Sequence, residues 1–541
     1  EEKMGPTPTD VPSMLPSSSP SFDPRPTLEI VQERGHVRCG QRRGSNNPVM
    51  CRAVASVLFG DPNRFKTFTV LPGEYQHLHK RSVDLITAAR STIENDVRES
   101  TTGSGFTFSS PYLHDNIVYA GHEFFVQCAE ERNRHGECSS LIICRAGCHC
   151  GIDVVQSRFP SSFTITAPGN ELAEMLFNST CNVVTTSKSN LFGESVIKLS
   201  DENNSNVFVG DNPIADNSFG LVTRKDDKEF SDIINWVVTA LIYGEEHGLK
   251  NDPSNCQNYT SLPVQTPDLN FMNAVYCVGN YEWIMDYSIR QHLLDPDTRS
   301  QINNGTSGML YAIPFNGLSG AAASNEDSDA LNVIKKRQLN CGVTIPDSFD
   351  GVITSSKKLV GMSVDYCRAL AAALFSGNSE QVNITAFSPN EGFVALNNGV
   401  IDVLAGAKVE KKYDFANPSL NLEGFDFSSA YYYGNETVGE DLSIFALATR
   451  EDNAVFSSFV NCVVWAPLHA QERAISREGN NNMPLLPWFG QDFEWALRDV
   501  IFHIGSYDQL YEKHFGLISN EDRGRNQLNE GGPLVHSIPG L

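Results

Sequence analysis

The sequence lacks several features that would mark a membrane protein or a common enzyme class. No apolar run in the 541 residues reaches the roughly 18 residues that a membrane-spanning helix needs. A glycine loop that cradles phosphate, a nucleophile elbow and paired metal-binding histidines are also missing. We therefore expect a protein without a membrane span, without a cofactor and without a metal site, and an enzyme is the least supported class.

Positive charge is scarce as well. The chain has 41 Lys and Arg residues against 65 Asp and Glu residues, which gives a formal net charge of -24. A surface with this charge repels a phosphate backbone, and phosphate contacts supply most of the affinity of nucleic-acid-binding proteins. Nucleic acid is excluded as an expected partner.

Cysteine, in contrast, is plentiful. Several of the 13 cysteines fall in pairs that close short loops, such as Cys39 with Cys51 and Cys128 with Cys138. This pattern is typical of an oxidising compartment and predicts an extracellular or secreted protein, periplasmic if it is bacterial. The chain could be a glycoprotein, because it contains N-glycosylation sequons at Asn178, Asn203, Asn258, Asn304, Asn383 and Asn435. A chain this rich in Asn, Ser and Thr contains about as many sequons by chance.

The sequence repeats itself after a Pro- and Ser-rich tail. Three segments return in the same order: Cys51-Arg52-Ala53 as Cys367-Arg368-Ala369, Val83-Asp84 as Ile401-Asp402, and Gly279-Asn280-Tyr281 as Gly505-Ser506-Tyr507. The repetition predicts a tandem duplication, with a complete copy 1 and a shorter copy 2. Asp84 precedes Asn235 by 151 positions, whereas Asp402 precedes Asn461 by 59, so copy 2 lacks 92 residues, the size of a small domain.

Both copies alternate short β-rich runs with helical stretches. Val83 to Ala88 has the composition of a strand, whereas Val49 to Leu58 and Phe230 to Tyr243 have the spacing of helices. This alternation favours βα units around a mainly parallel sheet. The fold class is therefore predicted as α/β.

The ordered motifs resemble the general L-amino-acid-binding branch of the bacterial solute-binding proteins. The resemblance rests on Cys51-Arg52-Ala53-Val54-Ala55 followed by Phe59-Gly60-Asp61, on Val83-Asp84, on Thr185-Thr186 after Cys181, and on Gly279-Asn280-Tyr281. It implies a periplasmic-binding-protein-like type II module with two lobes and a ligand cleft between them, followed by a second copy with a single lobe.

The resemblance implies the boundaries of the lobes, and composition predicts the tail and the linker. Residues 1–27 form the tail, residues 28–113 and 213–317 form lobe 1 of copy 1, and residues 114–212 form its lobe 2. Residues 318–333 are a linker, and residues 334–541 are copy 2 with lobe 1 only.

Disulfides are implied between Cys39 and Cys51, between Cys341 and Cys367, and between Cys144 and Cys181. Pairing Cys128 with Cys138 and Cys256 with Cys277 leaves Cys148, Cys150 and Cys462. An odd cysteine permits an intermolecular bond.

The expected amino-acid site is altered at several positions. The family's threonine-rich run that ends in a carboxylate-binding arginine resembles the stretch from Ser91 to Arg98, so we expect Arg98, Thr92 and Asn95 to be ligand-binding residues, although Asn95 replaces a threonine. The alternative interpretation of Arg98 is a solvated loop arginine paired with Glu94 or Asp96.

The expected lobe 2 wall departs further from the family pattern. Ser187 and Lys188 stand where the family has a carboxylate for the ligand's ammonium group, so Ser187 is the candidate contact that remains. Cys148-His149-Cys150 replaces threonines, and its close spacing suits a tetrahedral metal poorly.

These changes favour a non-enzymatic extracellular protein that uses an eroded solute-binding fold as a structural or interaction module. Its partners would be further copies of itself, for example in a filament, or another extracellular protein. The alternative is a functional binding protein that holds an amino acid or small peptide in the cleft of copy 1.

Overall fold

The structure, a computed structural model, describes residues 25–42, 48–70, 75–90, 106–110, 112–114, 117–146, 155, 159–168, 171–187, 207–210, 218–225, 227–257, 269–288, 309–310, 331, 334, 337–345, 352–353, 359–414, 422, 424–434, 443–452, 454–472, 474–517 and 526–528. Nearly all of the predicted tail and linker lies outside these residues. The domain boundaries given above therefore remain predictions.

The first part of the chain forms two sheets. Its strands are β1 (Val37–Arg42), β2 (Phe65–Val70), β3 (Leu85–Arg90), β4 (Phe106–Phe108), β5 (Leu113–His114), β6 (Ile117–Gly121), β7 (Ile143–Ala146), β8 (Thr164–Ala167), β9 (Val183–Ser187), β10 (Phe208–Val209) and β11 (Ser218–Arg224). Sheet 1 has the order β2-β1-β3-β11-β4, with β5 also paired to β11. Sheet 2 has the order β10-β6-β9-β7-β8.

The chain crosses between these sheets twice. It leaves sheet 1 after β5, builds sheet 2 from β6 to β10, and returns to sheet 1 at β11. In sheet 1, β1 is parallel to β2 and β3, whereas β11 is antiparallel to β3 and β4. The predicted α/β class and two-lobed arrangement are confirmed.

The second part of the chain forms one large sheet of the same design and two further sheets of two strands each. Its strands are β12 (Met309–Leu310), β13 (Leu339–Thr344), β14 (Val352–Ile353), β15 (Leu359–Val360), β16 (Val382–Phe387), β17 (Val403–Lys408), β18 (Phe425–Phe427), β19 (Tyr432–Gly434), β20 (Ser443–Arg450) and β21 (Gln527–Leu528). Sheet 3 has the order β16-β13-β17-β20-β18, with β19 also paired to β20, which reproduces sheet 1 strand for strand. In chain order, we call sheet 1 with its helices the first unit, sheet 2 with its helices the second unit, and sheet 3 with its helices the third unit.

Helices cover the sheets. They are α1 (Thr27–Arg34), α2 (Val49–Phe59), α3 (Gln76–His79), α4 (Glu123–Glu130), α5 (Leu172–Phe177), α6 (Lys228–Glu246), α7 (Asn273–Cys277), α8 (Tyr281–Ser288), α9 (Met362–Leu374), α10 (Pro389–Asn397), α11 (Lys411–Asp414), α12 (Ala454–Glu472), α13 (Ala496–Ile504) and α14 (Tyr507–Phe515). Among the described residues, no helix is both long enough and apolar enough to cross a membrane.

Local sequence explains several helix boundaries. α2 ends at Gly60, whose φ of +68° closes the helix in the left-handed conformation that glycine adopts readily. α10 begins after Ser388, whose backbone N–H donates to the Glu391 carboxylate at 3.2 Å, and proline occupies the first turn.

One hydrophobic cluster runs through the first and third units. It includes Val54 of α2 and Leu241 of α6 together with Leu370 of α9 and Val463 of α12. Burial of apolar side chains is the main favourable term in folding, so this shared cluster holds the two units together. Sheet 2 has separate cores on its two faces, around Tyr119 and around Val118.

The first and third units also contain equivalent polar contacts at matching positions. The backbone N–H of Arg38 donates to Asp84 at 2.7 Å, and that of Asn340 donates to Asp402 at 2.9 Å. Further matching pairs are Leu221 N–H to Ser109 Oγ and Leu447 N–H to Ser428 Oγ, both 3.0 Å, and Ser110 N–H to Asn235 and Ser429 N–H to Asn461, both 2.8 Å. These recurring contacts support the duplication inferred from the sequence.

The predicted disulfides are confirmed. Bonds join Cys39 to Cys51, Cys128 to Cys138, Cys144 to Cys181, Cys256 to Cys277 and Cys341 to Cys367. Cys462, in the middle of α12, forms no disulfide with a described cysteine and is buried in the shared core. In this position its thiol is not available to another chain, and Cys148 and Cys150 lie outside the described residues.

Candidate ligand-binding cleft

The carboxyl ends of parallel strands mark where a ligand would bind in sheets of this kind. In sheet 1 the ends of β1, β2 and β3 meet at one edge. Gly40 in β1 is required there, because an added Cβ would lie 2.8 Å from Ile86 and 3.1 Å from Val70. Close packing of Gly40 against Ile86 and Val70 therefore fixes the position of β1, from which the side chain of Gln41 projects.

Gln41 contributes a buried polar group at this edge. It is 7% exposed, and its Nε2 has no hydrogen-bond partner in the described part of the chain. The neighbouring Thr87 is satisfied by comparison, since its hydroxyl donates to the Gly40 carbonyl at 3.4 Å. An amide nitrogen buried without an acceptor is costly, so Gln41 is a candidate to donate to a ligand.

Sheet 2 offers two further donors at its corresponding edge. Arg145 on β7 and Thr185 on β9 are register partners on neighbouring parallel strands, so their side chains lie on the same face. The Nε and Nη1 atoms of Arg145 and the hydroxyl of Thr185 are buried, and within the described residues none of them has a hydrogen-bond partner. Thr185 as a whole is 4% exposed.

The structure places one of the four predicted ligand-binding residues. Ser187 is the last residue of β9, is 6% exposed and lies on the same face as Thr185, two positions earlier. Thr92, Asn95 and Arg98 lie outside the described residues, as do Cys148, His149 and Cys150. Their roles remain predictions, and no metal-binding group of His, Cys, Asp or Glu occurs in the part of the chain that the structure describes.

The sequence interpretation missed Arg145, and it used Thr185 as part of a family motif but not as a ligand-binding residue. A usable signal was present in the sequence. Ile143 and Arg145 are two positions apart in β7, so they lie on the same face, and Ile143 faces the core around Tyr119. A charged residue in phase with a buried one, at the end of a strand, indicates an inward-facing cation that needs a partner.

At the same edge of the third unit, several described polar side chains bond to one another or to the backbone. The hydroxyl of Thr344 donates to the Gly406 carbonyl, and the hydroxyls of Ser363 and Tyr431 bond to each other. Asp365 pairs with His514 at 2.8 Å and with Lys513 at 2.5 Å. Burial opposes the ionisation of Asp365, but these bonds outweigh it and lower its pKa.

A second polar centre lies between the first and third units. The ammonium nitrogen of Lys228 lies 2.5 Å from Asp232 in its own helix, and 3.2 Å from Asp426 and 3.5 Å from Glu451 in the third unit. Beside them, the indole N–H of Trp236 donates to the buried carboxylate of Asp414. This group, which we call the inter-unit ion cluster, joins the two units next to their shared core.

The inter-unit ion cluster contains more negative than positive charge. Burial opposes the charge on Lys228, but the carboxylates around it raise its pKa well above the usual value. Burial also raises the pKa values of Asp232 and Asp414, and it raises that of Glu451 to about 7. The cluster therefore carries protons near neutral pH.

Comparison with known proteins identifies relatives for about half of the chain. The putative amino-acid ABC transporter-binding protein YhdW of Escherichia coli is 25% identical over 330 residues, which cover 53% of this chain and 92% of that protein. The general L-amino acid-binding periplasmic protein AapJ of Rhizobium johnstonii is 25% identical over 303 residues, which cover 49% and 85%. No family model matches the chain.

Solved structures with a similar fold include a periplasmic binding protein from Brucella ovis with glutathione bound. It has 20% sequence identity and a TM-score of 0.36, and the match covers 51% of this chain and 95% of that one. A cysteine-binding protein from Campylobacter jejuni has 14% identity and a TM-score of 0.33, with 50% and 96% covered.

Proposed function

We propose that this chain, whose homologues are the solute-binding proteins of amino-acid ABC transporters, is a non-enzymatic extracellular protein that uses their fold as a structural or interaction module. Assembly with further copies of itself is the form of interaction that we favour. The disulfides within both halves of the chain support an oxidising compartment.

The observation that carries this proposal is the missing lobe of the third unit. In the first unit, all of sheet 2 lies between β5 and β11. In the third unit, only residues 435–442 separate β19 from β20, which is too short for a second lobe. A cleft needs two walls, so the third unit is more suited to packing against protein than to enclosing a small molecule.

One part of the third unit's surface is covered within the chain, and another part stays exposed. The shared core and the inter-unit ion cluster bind the third unit to the first. On the third unit, however, Phe502 is 62% exposed and Leu517 is 88% exposed. Large apolar side chains at a surface are typical of contact sites when they cluster, and contacts between non-identical surfaces can build open assemblies.

Light scattering at several protein concentrations tests assembly. We expect the mass to rise with concentration, and we expect Phe502→Ser to reduce the rise. The control Phe124→Ser, at a position of α4 that is 37% exposed, should leave the rise unchanged. A strict monomer at every concentration would contradict the assembly proposal.

A second candidate function is capture of an amino acid or small peptide by copy 1. It is favoured by buried donors at the edges of sheets 1 and 2 that have no partner among the described residues, namely Gln41, Arg145 and Thr185. Calorimetric titration with a panel of amino acids should then release or absorb heat, and a flat response across the whole panel would remove this candidate.

A further inference from the structure

We propose that Arg145 and Thr185 form an anion subsite on sheet 2 that binds a carboxylate group of a ligand. The inference rests on the second candidate function, ligand capture by copy 1, and extends it to a ligand class. It does not depend on the assembly role.

The geometry that supports this subsite is set by the sheet. β7 and β9 are parallel neighbours, and Arg145 is paired in register with Thr185 on one side and with Thr166 of β8 on the other. Adjacent strands lie about 5 Å apart, so a guanidinium and a hydroxyl can reach the same small group. Both residues are close to the carboxyl ends of their strands, where ligands bind in parallel sheets.

The buried groups of Arg145 and Thr185 that have no described partner require a hydrogen-bond acceptor. Arg145 can only donate hydrogen bonds, and the hydroxyl of Thr185 can donate one. No described carboxylate pairs with Arg145, although the chain as a whole carries a net charge of -24. Two guanidinium nitrogens that are buried without an acceptor are costly, and a carboxylate supplies both a counter-charge and the acceptors that they need.

Gln41 gives independent support from the other sheet. Its buried Nε2 is also a donor without a described partner, at the corresponding edge of sheet 1. A cleft that had been filled by its own side chains would satisfy such groups, as the third unit does for Thr344, Ser363 and Tyr431. Among the described residues, the edges of sheets 1 and 2 therefore have donors to offer to a ligand.

Calorimetric titration of the full chain with glutarate, glutamate and glutamine tests the subsite. Glutarate has two carboxylates and no ammonium group, glutamate adds the ammonium group, and glutamine lacks the side-chain carboxylate. We expect saturable binding of glutarate and glutamate, and weaker binding of glutamine if the subsite takes the side-chain carboxylate. Equal affinity for glutamate and glutamine, with both affected by the variants below, assigns the subsite to the α-carboxylate and still supports it.

Two variants and a control localise the effect. Arg145→Gln should weaken carboxylate binding at least tenfold, and Thr185→Val should weaken it severalfold while keeping the shape of the side chain. Arg134→Gln, an exposed arginine next to α4 on the same lobe, should have no effect. If Arg145→Gln does not fold, Arg145→Lys and Thr185→Val provide the test.

The outcomes separate this subsite from the function on which it rests. Binding of amino acids with the same affinity by the unmodified chain, Arg145→Gln and Thr185→Val would overturn the subsite and leave ligand capture standing. A flat titration with these three compounds and with the wider amino-acid panel would remove both. Binding that Arg134→Gln weakens as much as Arg145→Gln would also overturn the subsite, because it would reflect general charge.

Discussion

The ammonium nitrogen of Lys228 lies 3.5 Å from a carboxylate oxygen of Glu451, although 223 positions separate the two residues in the sequence. Lys228 begins α6 in the first unit, whereas Glu451 follows the last residue of β20 in the third unit. The contact therefore ties the helix that follows one sheet to the central strands of the other. It also makes the attachment of the two units sensitive to charge.

Removal of the ammonium group should weaken this attachment. Lys228→Met leaves Asp232, Asp426 and Glu451 close together without a cation, and the expected loss is about 2 kcal/mol of unfolding free energy, since the cluster is only partly buried. Urea denaturation measures it. The control Lys66→Met, on the exposed edge strand β2, should change stability by about 0.5 kcal/mol or less.

The inter-unit ion cluster should also make stability depend on pH. Because burial raises the pKa of Glu451 to about 7, its protonated form is favoured in the folded chain. The resulting stabilisation is complete below the ordinary glutamate pKa and is lost as the pH rises through about 7. Denaturation between pH 5 and pH 8 should therefore show a decline for the unmodified chain that Glu451→Gln reduces.

The sign of this pH effect gives a second check. At pH 8 Glu451→Gln should be more stable than the unmodified chain, because this partly buried carboxylate no longer has to ionise in the folded state. Glu380→Gln, at an exposed position, should follow the unmodified chain at every pH. A Glu451→Gln variant that declines as steeply as the unmodified chain would show that Glu451 does not govern this range.

The disulfides of lobe 2 offer a matched comparison of loop length. Cys144 and Cys181 are 37 positions apart, whereas Cys128 and Cys138 are 10 apart. On chain-entropy grounds, replacing both cysteines with alanine should cost roughly 4 kcal/mol for the longer loop and roughly 3 kcal/mol for the shorter one. Thermal unfolding of the two double variants gives the order, and a reversed order would argue against loop entropy as the main term.

Two buried tyrosines test whether the first and third units are equivalent. The hydroxyl of Tyr281 donates to the carbonyl of Tyr112, and that of Tyr507 donates to the carbonyl of Tyr431 at 2.9 Å. Tyr281→Phe and Tyr507→Phe should each cost about 1 kcal/mol of unfolding free energy. Tyr276→Phe, at a partly exposed position of α7, is the control and should be nearly neutral. Clearly unequal losses for the two buried positions would count against equivalence.

Much of the fold could be predicted because its signals are local or repeated. The helical spacing of Val49 to Leu58 predicted α2, and that of Phe230 to Tyr243 predicted α6, each within a few residues of its observed ends. The run from Val83 to Ala88 predicted β3, although the strand begins at Leu85. Three of the disulfide pairings followed from the resemblance, since a shared fold brings the same cysteines together.

The polar contacts that join distant segments could not be predicted. Nothing near Lys228 in the sequence indicates that Asp426 and Glu451 surround it, because these contacts depend on how the units pack. Arg145 shows the same limit in the candidate site. The period of two along β7 places it on the inner face, but only the structure shows that its buried nitrogens have no acceptor among the described residues.

Near the end of the described chain, one side chain covers the outer side of β19. Asn526 accepts the backbone N–H of Tyr433 at 2.8 Å and donates its own amide to the carbonyl of the same residue, also at 2.8 Å. This imitates the pairing that an added strand would make at an open sheet edge. A strand from another chain that docked beside Tyr433 would first have to break both hydrogen bonds to Asn526. The amide of Asn526 therefore opposes strand addition at this position.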